Sequence, residues 1–217
     1  MGIMKDTAGV IFDLDGTLLD SNNIWEQIDR ELLARRGISV SDDFLKILAS
    51  HSYEEAYNQM QLVGVTDSYE TILNEFNEMA LFEYQNNVVL KDEAKTYLEK
   101  LKEDGVKLAI ATASPKELYE PVLTKYGILN LFDNITTTFD VGKTKDFPDI
   151  YLTAAAKIGV SPANCVVFED LKKGIETAKA AGFKTCMVYD RYSQLDFFRM
   201  RGIADHYIYS FADLLKV

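Results

Sequence analysis

Histidine and cysteine are scarce in this chain, two of each in 217 residues. They form no cluster with zinc-ligand spacing. Cys165 and Cys186 each lie in an apolar, strand-like run, so they read as small buried hydrophobes of a reducing compartment, not as a disulfide framework. Positive charge is also short. Lys and Arg number 23 against 34 Asp and Glu, a net charge of -11. That argues against a general nucleic-acid binder, which needs a basic footprint, and against docking on an anionic membrane. No apolar run approaches the length of a membrane-spanning helix. The N-terminus lacks an apolar stretch that would serve as a signal peptide, and Asp6 stands where a myristoylation pattern wants Ser or Thr. Repeats, low-complexity segments and flexible linkers are missing too. The expectation is a cytoplasmic protein with no nucleic-acid or membrane partner, a monomer or weak homodimer.

Apolar residues make up 47% of the chain, enough for a sizeable core. The telling stretch is Val10-Ile11-Phe12-Asp13-Leu14-Asp15-Gly16-Thr17. A buried-strand run ends in two aspartates one residue apart. Asp is disfavoured inside a strand but suits the point where a strand meets a crevice, and in open α/β sheets ligands bind there. Residues two apart in an extended chain share a face. Two carboxylates so close repel, and a cation or shared proton would relieve them. The alternative is that Asp and Gly there do turn chemistry alone.

Residues 20–86 contain no strand signal. Ile24, Ile28 and Leu32 recur at helical spacing until Gly37. Ser41 can open a short helix. Ser52-Tyr53-Glu54-Glu55 and Asp67-Ser68-Tyr69-Glu70 read as capping boxes of two more. Beyond this block, Leu90, Ala94, Leu98 and Leu101 share a helical face. Strands are expected at 106–111, 134–139, 165–168 and 183–188, with a possible edge strand at 207–209. Helices alternate with them, one opened by a capping box at Ser114-Pro115-Lys116-Glu117. The alternation predicts an α/β fold, a Rossmann-like parallel sheet with helices on both faces. The expected division is a core of residues 1–19 and 87–217 with an inserted all-helical block, 20–86.

The carboxyl ends of the expected strands carry the chemistry: Asp13 and Asp15, then Thr112 and Ser114, then Lys143 and Lys145, then Glu169 and Asp170. In a parallel sheet these converge on one edge. Several carboxylates without His or Cys make an oxygen-ligand site, suited to Mg²⁺. A hydroxyl and a lysine beside that cation suit an anionic group, and the start of the helix after Ser114 offers backbone N–H groups to phosphate. Lys172 and Lys173, in the first turn of the helix after Asp170, oppose the helix dipole, which suggests a locally positive pocket.

Four segments, in order, resemble the motifs of the haloacid-dehalogenase-like superfamily. They are Asp13-Leu14-Asp15-Gly16-Thr17; Thr112 in Ala111-Thr112-Ala113-Ser114; Lys145 ahead of Pro148-Asp149-Ile150-Tyr151; and Phe168-Glu169-Asp170 followed by Gly174-Ile175. The helical block resembles the α-helical cap of its β-phosphoglucomutase-like subgroup. The resemblance implies a Mg²⁺-dependent phosphatase acting on a small phosphorylated metabolite, such as a sugar phosphate. Asp13 would be the nucleophile that forms an aspartyl-phosphate, and Asp15 the general acid and base. Thr112, Ala113 and Lys145 would bind the phosphoryl group. Asp13, Asp15 through its carbonyl, and Asp170 would hold Mg²⁺, with Glu169 close by.

There are departures from the family pattern. Asp146 stands where the family often has Pro, and Lys145 is preferred to Lys143 on its spacing to Pro148. The mutases of the subgroup have a histidine twelve residues after the nucleophile; here that residue is Trp25. They also carry a phosphate-binding arginine in an early cap loop, and residues 49–54 contain none. Both favour hydrolysis over a sugar phosphomutase. Asp15 argues against dehalogenase chemistry. Lys46 is the nearest candidate for the cap lysine of the phosphonate-cleaving branch, with little to support it. Trp25 and His51 are the candidate substrate contacts of the cap; the other reading makes Trp25 a packing residue and His51 a surface one. A catalytically silent member that binds a phosphorylated ligand is the non-enzyme alternative.

Overall fold

The computed structural model describes residues 3–49, 51 and 53–216. Two compact units divide the chain, Met1–Asp20 together with Val89–Val217, and Ser21–Val88.

The first unit is built on a six-stranded sheet. Its strands are β1 (Gly9–Phe12), β4 (Lys107–Thr112), β5 (Asn134–Thr137), β6 (Cys165–Glu169), β7 (Lys184–Val188) and β8 (His206–Ile208), in the order β5-β4-β1-β6-β7-β8. Every ladder is parallel. Strands β2 (Leu19–Asp20) and β3 (Val89–Leu90) form a separate antiparallel pair. The helices are α5 (Ala94–Glu103), α6 (Lys116–Lys125), α7 (Thr138–Val141), α8 (Asp149–Lys157), α9 (Lys172–Ala180), α10 (Gln194–Met200) and α11 (Ala212–Leu215).

Strand side chains alternate between the two faces of a sheet. Ile11 of β1 packs with Ile150, Tyr151 and Ala154 of α8 and with Ala178 of α9. Its neighbour Phe12 points the other way. Phe12 stacks on Phe168 at 4.8 Å and meets Tyr97 of α5 and Phe211 just before α11. Helices therefore cover both faces. That explains why the strand interiors are apolar throughout instead of alternating.

Three local readings of the sequence need correction. Leu90 does not join the helical face of Ala94, Leu98 and Leu101. It pairs with Leu19 in the β2–β3 ladder, and α5 starts only after Glu93, whose backbone is left-handed (φ 59°). The strand expected to run to Phe139 stops at Thr137. Thr137 and Asp140 form a capping box that turns the chain into α7. Ser114 is not a helix cap. Pro115 holds that position in α6, and the Ser114 hydroxyl is engaged elsewhere.

The second unit consists of α1 (Asn22–Ala34), α2 (Asp42–Ala49), α3 (Tyr53–Leu62) and α4 (Tyr69–Asn86). The Phe44 amide donates to the Ser41 hydroxyl at the start of α2. Ser68, not Asp67, caps α4 by accepting from the Thr71 amide. Asp67 is instead taken by Arg36, which also reaches Glu75, at 2.8 and 2.7 Å. The capping box expected at Ser52 lies outside the described residues. Trp25 stacks on Phe76 at 5.9 Å, a packing role inside this unit. Among the described residues no helix is long and apolar enough to cross a membrane.

Candidate active site

The register of the sheet positions the site. Phe12 lies level with Ile110 on one side and with Phe168 on the other. One step further on, Asp13 emerges beside Glu169, with Thr112 at the end of the neighbouring strand. The Asp13 amide still bonds to the Phe168 carbonyl, at 3.0 Å, so the nucleophile candidate is fixed by the ladder itself. Beyond it the chain turns sharply. The Leu14 carbonyl accepts from the amides of Thr17, Leu18 and Leu19, and Gly16 takes a left-handed φ of 79° that the turn requires.

Carboxylate oxygens of Asp13, Glu169 and Asp170 lie within 4.8 Å of one another, and all three residues are buried. The Lys145 ammonium reaches into this group. It bonds to Asp13 and, at 2.7 Å, to Glu169. Burial, partly countered by Lys145, pushes the Asp13 carboxyl well up, and the charges of Glu169, Asp170 and Asp15 push it further. Burial works against the Lys145 charge, but Asp13 and Glu169 outweigh it and hold the ammonium firmly protonated. One lysine among this many acids leaves negative charge uncompensated, and desolvated like charges repel strongly. A divalent cation held by oxygen ligands fits that donor set.

Three further residues orient these groups; Ser114 stands out in the sequence as a strand-end hydroxyl, while Tyr151 and Ser193 do not. Ser114 donates to Asp15 at 2.6 Å. The sequence offers it both as a strand-end hydroxyl and as a helix cap, and the first reading is the one that meets the site. Tyr151, fully buried in α8, donates to the same Glu169 oxygen that Lys145 engages, at 2.7 Å. In the sequence it is indistinguishable from a periodic core residue. Ser193, in the loop after β7, donates to Asp170 at 3.0 Å, and nothing local marks it. Gly174 also has a specific task. A Cβ there would come within 2.4 Å of the Glu169 carboxyl carbon, so the side chain of Glu169 lies directly on α9.

Thr112 is buried, and its hydroxyl oxygen accepts from the Ser114 amide at 2.9 Å, which shapes the loop around Ala113. Lys143 is not brought to the cluster. It pairs with Asp149 at 2.7 Å on the surface. Lys172 and Lys173 do not form the positive pocket expected of them. They are exposed beside Glu176 and Asp146, and the first amide of α9 is taken by Asp196 at 3.0 Å. Lys46 is exposed next to Asp43. His51 is exposed, with Nδ1 2.6 Å from the Ile47 carbonyl oxygen.

The profile of the haloacid dehalogenase-like hydrolase family matches residues 10–188, which include every one of these groups except Ser193 and Asp196. The chain belongs to that family. Two relatives extend the comparison. Validoxylamine A 7'-phosphate phosphatase of Streptomyces hygroscopicus subsp. limoneus is 31% identical over 172 residues, 79% of this chain and 81% of the relative. Hexitol phosphatase B of Escherichia coli K12 is 27% identical over 193 residues, 87% and 86% of the two chains. In structure, β-phosphoglucomutase from Clostridium difficile superposes with a TM-score of 0.73 at 23% identity, covering 96% of this chain and 93% of that one. The superposition agrees with the parallel-sheet fold described above. The two sequence relatives are both phosphatases by name.

Proposed function

We propose that this haloacid dehalogenase-like hydrolase is a Mg²⁺-dependent phosphatase of a small phosphorylated metabolite, most plainly a sugar phosphate. The observation that carries the reading is the meeting of Asp13, Lys145, Glu169 and Asp170 at one end of the sheet, with Asp15 tied in by Ser114. In this reading Asp13 attacks phosphorus and forms an aspartyl-phosphate, which divides one difficult displacement into two. Asp15 gives a proton to the leaving oxygen and then takes one from the attacking water. Lys145, the Thr112 hydroxyl and the Ala113 amide hold the phosphoryl oxygens as charge builds on them. Asp13, Asp170 and the Asp15 carbonyl would hold Mg²⁺, which when bound neutralises the repulsion between carboxylate and phosphate. Glu169 holds Lys145 in place. The helical unit serves as the cap, with Trp25 and His51 as its candidate substrate contacts. The enzyme works in the cytoplasm as a monomer or weak homodimer, and the -11 charge supports the lack of nucleic-acid or membrane partners.

The test is a phosphate-release screen over many phosphate esters, with and without Mg²⁺, on wild type and Asp13→Asn. Release that needs both Mg²⁺ and Asp13 is expected. Interconversion of sugar phosphates without release would point to a mutase, and inertness across the panel to a silent ligand binder. The absence of histidine at position 25 favours hydrolysis over the mutase.

A further inference from the structure

Asp29 takes no part in the chemistry above, yet it too is buried. It sits in the middle of α1 with 7% of its surface exposed. Among the described residues it has no hydrogen-bond or ion-pair partner. A carboxyl without a partner in an apolar setting is costly, and an aliphatic side chain at this position would avoid that cost. Such a cost is usually kept for a function.

The carboxyl lines a recess of about 30 Å³ within the helical unit. Tyr53, Tyr57 and Met60 of α3 and Tyr69 and Phe76 of α4 form its walls. Tyr57 meets Tyr69, and Tyr53 meets Phe76, both edge to face at interplanar angles of 72°. Two such pairs present ring faces in more than one direction. The Tyr57 hydroxyl is committed to the Asp67 carbonyl at 2.8 Å. Asp29 is the one carboxyl of the lining. The other charge that acts on it is Glu26, one turn earlier on α1, which pairs with Arg30. Burial first, and Glu26 second, push the Asp29 carboxyl up to about 7.

By this measure a single water needs about 10–15 Å³, so the recess takes roughly two heavy atoms. An anion would be repelled there, and an apolar occupant would leave the carboxyl unsatisfied. A small N–H cation supplies both a donor for the carboxylate and a charge for the ring faces. We propose that this recess binds a primary ammonium group, with Asp29 as its counter-ion and the tyrosine and phenylalanine rings as its walls. The group can belong to a free small amine or to the amino end of a larger molecule. The shared chemistry is the –NH₃⁺ head on a single carbon.

Trp25 is the only tryptophan of the chain and stacks on Phe76, so its fluorescence reports on the recess. The full-length protein is titrated at pH 8 with methylammonium chloride, at constant ionic strength. Tetramethylammonium chloride, too large and without N–H, is the control. Glucosamine tests whether the head is read on a larger molecule. A saturable change with methylammonium and none with tetramethylammonium is expected. The same response to glucosamine assigns the head to a larger ligand, and its absence limits the recess to free amines; both agree with the proposal. The affinity should fall by up to about tenfold from pH 7 to pH 6, as the carboxylate takes up its proton, and the response should vanish in Asp29→Asn. No saturable change in wild type, an equal response to tetramethylammonium, or an unaltered response in folded Asp29→Asn would overturn the proposal. Should Asp29→Asn fail to fold, Asp29→Glu replaces it. The added methylene fills the recess, so binding should weaken roughly tenfold, and undiminished binding would overturn the proposal equally. Asp13→Asn should bind methylammonium as wild type does, so the result stands apart from the phosphatase reading.

Discussion

Asp13 and Asp29 are both buried carboxyls whose affinity for a proton is raised, and they have opposite surroundings. Around Asp13 the charge is dense: an ammonium in contact, two more carboxylates within 4.8 Å, and serine and tyrosine hydroxyls aimed at the neighbouring acids. Around Asp29 there are aromatic rings and no counter-charge. The first environment is a network whose members depend on one another. The second is an isolated group whose cost falls on the helical unit alone. Burial raises both groups, but only the first has its counter-charge built into the protein.

The sharpest way to break this comparison is Asp13→Asn. It should reduce phosphate release by roughly 10⁴-fold or more while leaving circular dichroism unchanged, since the catalytic groups act as a unit. Lys145→Met should cost about 10²–10³ in kcat. It should also lower stability by roughly 3–5 kcal/mol in denaturant titrations without metal, because it leaves buried acids unpaired. Mg²⁺ should raise Tm in wild type and in Asp29→Asn alike, and much less in Asp170→Asn. An equal loss of the Mg²⁺ effect in Asp29→Asn would mean that the two environments are not independent.

Smaller effects sharpen the contrast. Gly174→Ala forces the Glu169 side chain off α9. Roughly 1–3 kcal/mol of destabilisation is expected, with kcat falling more than KM changes, because Lys145 loses its seat. Asp29 should show itself in the pH dependence of stability. Its folded-state value, near 7, lies above the ordinary carboxyl value, so the folded protein binds more protons between about pH 4 and 7. Stability is thus greatest below that window and declines as pH rises through it. The full shift corresponds to roughly 4 kcal/mol as an upper bound. With Mg²⁺ present, the wild-type minus Asp29→Asn difference in unfolding free energy should follow that course. Asp67 and Glu75, lowered by their hydrogen bonds to Arg36, act in the opposite sense and at lower pH.

Much of the core was legible because a parallel sheet writes its function at predictable places. Each strand is an apolar run, and whatever polar group follows it arrives at one edge. That is how Asp13, Thr112, Lys145 and Asp170 stood out although they lie far apart in the chain. The other supporting groups were less legible, because their signals coincide with other roles. Tyr151 follows the periodicity of a core helix and Ser193 is one polar residue in a loop, while Ser114 stands at a strand end but also sits where a cap is expected. Asp29 was hidden for another reason. It lies four residues after Trp25 and four before Leu33, on the apolar side of α1, but an acidic side chain there gives no sign of being buried. Its burial comes from α3 and α4, contacts that no local window of sequence contains.

The central place of β1 carries a consequence for biogenesis. Gly9 to Phe12 are made before both of their partners, Lys107 to Ile110 on one side and Cys165 to Phe168 on the other. At about 5–20 residues per second, roughly ten to thirty seconds separate the emergence of Val10-Ile11-Phe12 from that of the second flanking strand. During that interval an unpaired hydrophobic ribbon is available to holdase chaperones or to other nascent chains. With so much of the topology non-local, assembly of the sheet waits until Cys165 to Phe168 have been made.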